Sequence, residues 1–73
     1  MTATLTIGTE VGYNETFHGI KWTKIGTVVE IDEVKGRARV LWNRKEYHES
    51  GNVYPERKPL RTWVKIVKLI ARG

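Results

Sequence analysis

A chain of 73 residues without a cysteine has the length of one small domain, and it excludes disulfides, thiolate chemistry and cysteine-based zinc sites. A domain of this size buries only about 60% of the surface that its unfolded chain exposes, which leaves little room for a deep active-site cavity. No apolar run approaches the ~20 residues of a membrane span, and the N-terminus lacks the features of a signal peptide. We therefore expect a single cytoplasmic domain, residues 1–73, with no membrane contact.

The charge is unevenly distributed along the chain. Residues 1–34 contain two bases and five acids, for a net charge of −3, whereas residues 35–73 contain eleven bases and three acids, for a net charge of +8. Such asymmetry is typical either of a surface that binds a polyanion or of an ordinary solvated surface. Both interpretations remain open from composition alone.

The N-terminal part predicts one strand followed by a loop. Apolar residues at odd positions favour a first strand within residues 5–13 that starts near Gly8-Thr9-Glu10-Val11. Residues 14–24 are predicted as a loop, because turn-forming residues interrupt any regular period. Three apolar side chains of this loop are expected to fold back over one end of the core: Phe17, Ile20 and Trp22.

Residues 25–42 are the best-defined stretch and predict a β-hairpin. The first half, residues 27–31, is rich in β-branched side chains, and the second half, residues 37–42, mostly alternates polar and apolar side chains. Between them, Asp32 can bond its own backbone and Gly36 can supply a positive φ, as a hairpin loop of this length requires.

Two features of this hairpin predict local irregularity. Gly26, just before the first strand, indicates a bend or a close backbone approach. Val28 and Ile31 cannot share a face at a strict period of two, which predicts either a bulge between them or one side chain that points outward.

Residues 43–59 form the longest irregular segment, since prolines and a Ser-Gly-Asn run interrupt it. A structureless loop of this length is unusual in a compact domain. The segment is therefore predicted either to be functional or to contain a short strand near residues 51–54.

The C-terminal part predicts two more strands. Residues 60–65 are predicted as a strand, residues 66–69 as one tight turn, and residues 69–71 as a last short strand. Residues 64–70 also fit a short amphipathic helix, which is the alternative. Eight residues are expected in the core: Val11, Val28, Ile31, Ala38, Val40, Trp42, Val64 and Leu69.

This order of elements resembles the SH3-like barrel superfamily. Gly8-Thr9-Glu10-Val11 resembles its opening strand, and Ile25-Gly26-Thr27-Val28-Val29 resembles the second strand of KOW, Tudor and Mind-bomb-type domains. Arg39-Val40-Leu41-Trp42 resembles their third strand, and residues 62–69 resemble the fourth strand and closing turn. The resemblance implies an all-β, small SH3-like barrel of about five short antiparallel strands with a tight helical turn before the last strand. It implies no particular reaction, because this superfold hosts many functions.

Catalytic chemistry finds little support in the sequence. The two histidines, His18 and His48, are not in a known metal-binding or catalytic spacing. The glycines follow neither the G-x-G-x-x-G pattern nor the Walker pattern of a phosphate-binding loop. His48 lies beside Glu46 and Glu49, which is compatible with a general base or a two-ligand metal site, but we interpret this run as a polar loop, which is the better explanation. We expect a protein that is not an enzyme and that uses no metal or cofactor.

Nucleic-acid binding is one hypothesis for function. Cations track phosphates and exposed aromatic rings stack on bases, and Tyr47, Tyr54 and Trp63 are interleaved with the bases of the C-terminal half. Four of these bases are expected to cluster where the loop of residues 43–59 begins and ends: Arg44, Lys45, Arg57 and Lys58. The full set of candidate contacts to RNA or to the DNA backbone is Arg37, Arg39, Arg44, Lys45, Arg57, Lys58, Arg61 and Lys65.

Protein binding is the other hypothesis and the one that we favour. The SH3-like resemblance implies peptide recognition through an aromatic groove or a cage for a methylated Lys or Arg, and the acids of the N-terminal half would suit a cationic peptide. The candidate contacts are Tyr13, Phe17, Trp22, Tyr47 and Trp63. Docking as an accessory subunit through loops 14–24 and 43–59 belongs to the same class. A lone domain this short is common among small phage and bacterial proteins.

Overall fold

Five antiparallel strands form one sheet in the computed structural model, which describes residues 5–72. The strands are β1 (Glu10–Phe17), β2 (Ile20–Asp32), β3 (Arg37–Tyr47), β4 (Val53–Lys65) and β5 (Ile70–Ala71). Their order in the sheet is β4-β3-β2-β1-β5, and one turn of 3-10 helix, Ile66–Lys68, precedes β5. This confirms the predicted all-β fold of five antiparallel strands with a tight turn before the last strand. The alternative helix over residues 64–70 is wrong.

The central hairpin forms as the sequence predicts. The backbone N–H of Lys35 donates to Asp32 Oδ1 over 3.1 Å, and Gly36 has a φ of 64°. The pairing between β2 and β3 shifts between Val28 and Glu30, which is the predicted bulge. Because of this shift, Val28 and Ile31 both face the core, although three residues separate them.

The core lies between the first half of β3, the middle of β2 and the start of β1. Its buried apolar residues pack in one cluster, with partly buried side chains from the N-terminus, β4 and the C-terminus around it. All eight residues that the sequence places in the core belong to this cluster or pack against it. Ile25, with 1% of its surface exposed, is an additional buried residue that the alternating pattern missed.

The predicted loop of residues 14–24 is wrong. Residues 14–17 continue β1 and residues 20–24 begin β2, and the two strands pair from Glu10 opposite Thr27 to Phe17 opposite Ile20. Only His18 and Gly19 form the turn, with φ values of 50° and 79°. Two successive positive φ values are the geometry of a type I′ turn, which matches the twist of a two-residue hairpin.

The first strand begins within its predicted starting stretch but is longer than predicted. β1 begins at Glu10 and continues to Phe17, beyond Tyr13, whereas Gly8 lies in a turn with a φ of 95°. The expected cap over one end of the core does not form, since Phe17 and Ile20 are 62% and 52% exposed.

The segment of residues 43–59 is mostly strand, so its prediction as one irregular segment is wrong. β3 continues to Tyr47, a turn occupies residues 48–52, and β4 begins at Val53. The short strand predicted near residues 51–54 is thus the start of β4. Pro55 and Pro59 fit because β4 is an edge strand, where a missing N–H need not break a ladder.

Within residues 5–72, the 3-10 turn is the only helical element, and no helix has the length and apolar character needed to cross a membrane.

Candidate functional site

Two hairpin arms extend beyond the core, and they coincide with the two segments that the sequence predicts as loops. The first arm is residues 14–24, where β1 ends and β2 begins, and the second arm is residues 43–59, where β3 ends and β4 begins. The side chain of Thr23 is buried, and all other residues of both arms are half-buried or exposed. Both arms therefore lie outside the core, at the surface of the protein.

A bulge in the edge strand shapes the second arm. Trp42 pairs with Leu60, and Arg44 pairs with Pro55, so β3 has one residue where β4 has the four residues 56–59. These four residues therefore leave the ladder with β3, and we call them the β4 bulge. Pro55 directly precedes the β4 bulge, and Pro59 is its last residue. Both lack the N–H that a ladder requires.

Three aromatic rings from the two arms pack in a row, with Tyr47 between Trp22 and Tyr54. Trp22 and Tyr47 are opposite each other on β2 and β3, with ring centroids 6.2 Å apart. Tyr54 on β4 packs edge-on against Tyr47, with centroids 5.8 Å apart. Register brings these rings to one face of the sheet, because opposed residues of antiparallel strands project to the same side. We call Trp22, Tyr47 and Tyr54 the ring cluster.

An open groove of about 1230 Å³ lies next to the ring cluster. The start of β2 forms one wall, and the turn after β3 and the β4 bulge form the others. Its lining residues are Ile20, Lys21, Lys45, Tyr47, Glu49, Ser50, Tyr54, Pro55, Glu56, Arg57 and Lys58. The groove is thus built from both arms, and the β4 bulge is the part of the second arm that forms one of its walls.

A smaller pocket of about 220 Å³ lies on the same face, between Trp22 and Trp42. The ammonium group of Lys45 lies 5.2 Å from the ring centroid of Trp22, and that of Lys24 lies 4.9 Å from the ring centroid of Trp42. The chain's own lysines therefore occupy the two indole faces. A methylated lysine would have to displace them, so this arrangement does not favour the aromatic cage.

The groove has more unpaired positive than negative charge. Lys45 forms an ion pair with Glu56 over 3.7 Å, and Lys24 forms one with Glu15 over 3.5 Å at the edge of the smaller pocket. Among residues 5–72, no acid lies within ion-pair distance of the other three groove cations, which are Lys21, Arg57 and Lys58.

The acids of the N-terminal half do not line this groove. Glu10 forms ion pairs with Arg44 and Arg72. Asp32 and Glu33 lie at the turn between β2 and β3. Glu15 borders only the smaller pocket, where it is paired with Lys24. The expected preference for a cationic peptide thus finds no support in the geometry.

The eight cations predicted to contact nucleic acid fall on three surfaces. Lys45, Arg57 and Lys58 line the groove, as part of the expected cluster. Arg44, the fourth member, lies away from it and pairs with Glu10. The remaining four lie near Trp63 on paired positions of β3 and β4: Arg37, Arg39, Arg61 and Lys65.

Trp63 is the centre of this third surface. It is opposite Arg39 in the ladder, is 42% exposed, and has the guanidinium carbon of Arg37 5.7 Å from its ring centroid. Arg39 is partly neutralised by Glu30, at 3.0 Å. Arg61 and Lys65 have no acid within ion-pair distance in the part of the chain that the structure describes.

The five predicted protein-binding aromatics are likewise separated. Trp22 and Tyr47 come together, whereas Tyr13 packs edge-on against Trp42 and Trp63 belongs to the surface just described. Phe17 lies at the tip of the first arm against His18, with ring centroids 4.1 Å apart. Tyr54 completes the ring cluster. The sequence does not predict it as a protein-binding residue, because its segment shows no regular period.

A hydrogen-bonded chain ties the two arms together on the opposite face of the sheet. The hydroxyl of Thr23 donates to Asn14 Oδ1 over 2.7 Å, and its oxygen lies 2.6 Å from His48 Nε2. Because the single hydroxyl proton goes to Asn14, the His48 ring must be the donor in the second bond. His48 therefore has a structural partner, and residues 5–72 contain no group of three or more His, Asp or Glu side chains placed to hold a metal ion.

Comparison with protein-family models, with curated proteins and with solved structures gave no match.

Proposed function

We propose that this protein is a non-enzymatic binding module and that the groove between its two arms binds an extended, acidic segment of a protein partner. The observation that carries the proposal is the ring cluster, which presents three aromatic side chains beside an open groove built from both arms. Aromatic side chains offer a large contact area at a small cost in conformational entropy, which is why they are enriched at binding sites.

Exposed apolar surface supports a polypeptide as the ligand. Ile20 and Tyr54 face the groove with 52% and 50% of their surface exposed, and Phe17 extends the same face with 62% exposed. A contiguous apolar surface with a polar rim is typical of a protein interaction site. Docking of the whole domain as an accessory subunit would use the same surface.

The charge of the groove supports an acidic ligand. Lys21, Arg57 and Lys58 have no acidic partner among the described residues, and each can offer hydrogen-bond donors to a carboxylate. Complementary charge raises the association rate and selects among partners more than it raises affinity.

We also infer that the chain is an SH3-like barrel. The support is the position of β5 beside β1, the run of neighbouring strands from β1 to β4, and the 3-10 turn directly before β5. These features agree with the layout that the sequence resemblance implies. Peptide binding between loops is a common use of such folds.

Selection of peptides tests the groove. We expect 12-residue peptides selected from a random display library against the folded protein to be enriched in acidic and apolar residues. In a titration of the isotope-labelled protein, they should shift the backbone amides of Ile20, Tyr47, Tyr54 and Lys58. Tyr54→Ala should weaken binding at least ten-fold, whereas Val34→Ala, at a turn residue that is 97% exposed, should not. Selected peptides without acidic enrichment, or with shifts that avoid the groove, would refute the proposal.

A second candidate function is binding of single-stranded nucleic acid along β4. Four cations without an acidic partner among the described residues lie on this strand. Arg57, Lys58 and Arg61 lie between the exposed rings of Tyr54 and Trp63 in the sequence, and Lys65 follows Trp63. The test is a titration with a fluorescent oligo-dT or oligo-U of 12 nucleotides. Binding through this row should weaken steeply with salt, with a slope near −0.7 per phosphate contact. Binding that is absent at 50 mM salt would exclude this function.

A further inference from the structure

The last six residues of β4 form an open strand edge. Residues 60–65 pair without interruption with β3, from Leu60 opposite Trp42 to Lys65 opposite Arg37. No other strand of the described chain pairs with β4, so its second edge is open. Every other residue of an edge strand presents its backbone N–H and C=O outward, where a further strand can pair with them.

Prolines limit this edge to one stretch. Pro55 and Pro59 lie before it, and proline has no N–H to offer to an added strand. Residues 60–65 contain no proline, and their unbroken register with β3 holds them extended. The accepting stretch is therefore six residues long, which is within the normal length of a strand.

The side chains along this edge are partly apolar and partly cationic. Trp63 is 42% exposed and has Arg61 and Lys65 two residues away on either side, so all three project to one face. Leu60 is 65% exposed. Two cations that flank an exposed indole on an open edge are complementary to a strand with two acids that flank an apolar residue.

We propose that residues 60–65 of β4 accept an extended acidic segment of another polypeptide as an added strand. The segment carries the pattern acid-x-apolar-x-acid, which places the two carboxylates about 13 Å apart. They lie opposite Arg61 and Lys65, and the apolar side chain covers Trp63. The backbone hydrogen bonds give affinity and the alternate side chains give specificity, as in other cases of strand addition. This site is separate from the groove of the proposed function.

A second copy of this chain is a poor occupant. In the symmetric antiparallel pairing centred on Trp63, with both outer faces on one side, Arg61 of each copy is opposite Lys65 of the other. Like charges directly opposite each other destabilise a strand pair. The two cations thus act against self-association, as charged residues commonly do on exposed edges.

A nucleic acid would satisfy only part of this surface. Phosphates can pair with Arg61 and Lys65, and a base can stack on Trp63, but a sugar-phosphate backbone has no ladder of alternating donors and acceptors. The open backbone groups of the edge would keep water as their partner. A polypeptide strand satisfies the backbone, the cations and the indole together.

The test uses the whole protein and a synthetic eight-residue peptide with Glu at positions 3 and 7 and Leu at position 5. A titration of the isotope-labelled protein should shift the amides of residues 60–65. Hydrogen exchange should slow at alternate residues of this stretch when the peptide is bound. Two further peptides carry N-methyl groups on the even-numbered or on the odd-numbered amides. One of them should lose binding at least ten-fold and the other should keep it, because only one set of amides faces β4.

Variants of the protein separate this site from others. The double change of Arg61→Glu and Lys65→Glu should weaken peptide binding at least ten-fold, and a peptide with Lys at positions 3 and 7 should restore it. Tyr54→Ala, which alters the groove, should leave this binding unchanged. The proposal is overturned if both N-methylated peptides bind equally, if the shifts map to the groove, or if the peptide does not bind while oligo-dT shifts the same amides. Each of these results leaves the groove proposal to be judged by its own peptides.

Discussion

The imidazole of His48 and the hydroxyl of Thr23 form the bond that joins the two hairpin arms. His48 Nε2 lies 2.6 Å from Thr23 Oγ1, and the two residues are 25 positions apart in the chain. Thr23 is 7% exposed, and its hydroxyl donates a hydrogen bond to Asn14 Oδ1. One hydroxyl therefore satisfies a donor on the second arm and an acceptor on the first.

Removing this hydroxyl should destabilise the protein more than its size suggests. Thr23→Val keeps the shape of the side chain but leaves Asn14 Oδ1 and the His48 N–H without their partner. The expected loss in the free energy of unfolding is about 1–3 kcal/mol, because partly buried polar groups would lose a hydrogen bond. Denaturant unfolding measures it. Thr16→Val, at an exposed position of β1, is the control and should change stability by less than about 0.5 kcal/mol. Equal effects at both positions would contradict the role of this bond.

Gly26 should tolerate no side chain. A Cβ at this position would lie 2.7 Å from Val40 Cγ1 and would also collide with the backbone of Leu41. Gly26→Ala should therefore lower stability by about 3 kcal/mol or more. At Gly12, the nearest atoms to a new Cβ belong to the side chains of Thr23 and Arg72, at 3.0 and 3.3 Å. Gly12→Ala should thus cost less, and thermal unfolding of both variants gives the order. The reverse order would show that β2 and β3 are not this close.

A charge at the centre of the core should unfold the protein. Val40 is fully buried, so Val40→Asp places a carboxylate among apolar side chains without a partner. The cost should exceed about 4 kcal/mol, which is comparable to the whole stability of a domain this small. Circular dichroism at 25 °C should show an unfolded chain. Val34→Asp, at a turn position that is 97% exposed, is the matched control and should melt near the wild-type temperature. A folded Val40→Asp protein would mean that the register of β3 is wrong.

The ion pairs around Glu10 should contribute little. Glu10 pairs with Arg44 and with Arg72, but about 40% of its side chain is exposed, as are 43% and 37% of the two arginine side chains. Water and salt screen such pairs, so Glu10→Gln should lower stability by less than about 1 kcal/mol. The difference should shrink in 1 M NaCl. Glu33→Gln, in the turn after β2, is the control. A loss of several kcal/mol that does not respond to salt would show that the network is buried and essential.

The core was predictable because buried strand faces produce a regular alternation of apolar residues in the sequence. Val11, Val28, Ala38, Val40 and Trp42 were all correctly placed, since one face of each strand packs inward and the apolar period of two follows. Ile25 was missed because it lies beside the register shift at Gly26, where the alternation changes phase. The bulge after Val28 was predictable for the opposite reason, since its two flanking apolar residues are out of phase.

The arms were not predictable because they are not buried. Without an inner face, the first arm shows no apolar period, and its turn-forming residues predict a long loop. The structure shows that His18 and Gly19 alone reverse the chain. The ion pairs of the arms are likewise not predictable from the sequence. Arg44 meets Glu10 across 34 positions, and only the strand order brings them together. The sequence therefore predicts only part of the groove, namely Lys45, Tyr47, Arg57 and Lys58, and it does not predict which side chains these residues contact.

The scarcity of buried side chains in the two arms has a consequence for how the groove behaves in solution. Local opening requires the least free energy where few apolar contacts would be lost, so the arms should separate from each other far more often than the core unfolds. The groove would then widen and close while the core around Val40 stays intact. A ligand bound in the groove should slow hydrogen exchange along both arms. Its affinity would be lowered by the free energy needed to restrict the motion of the arms.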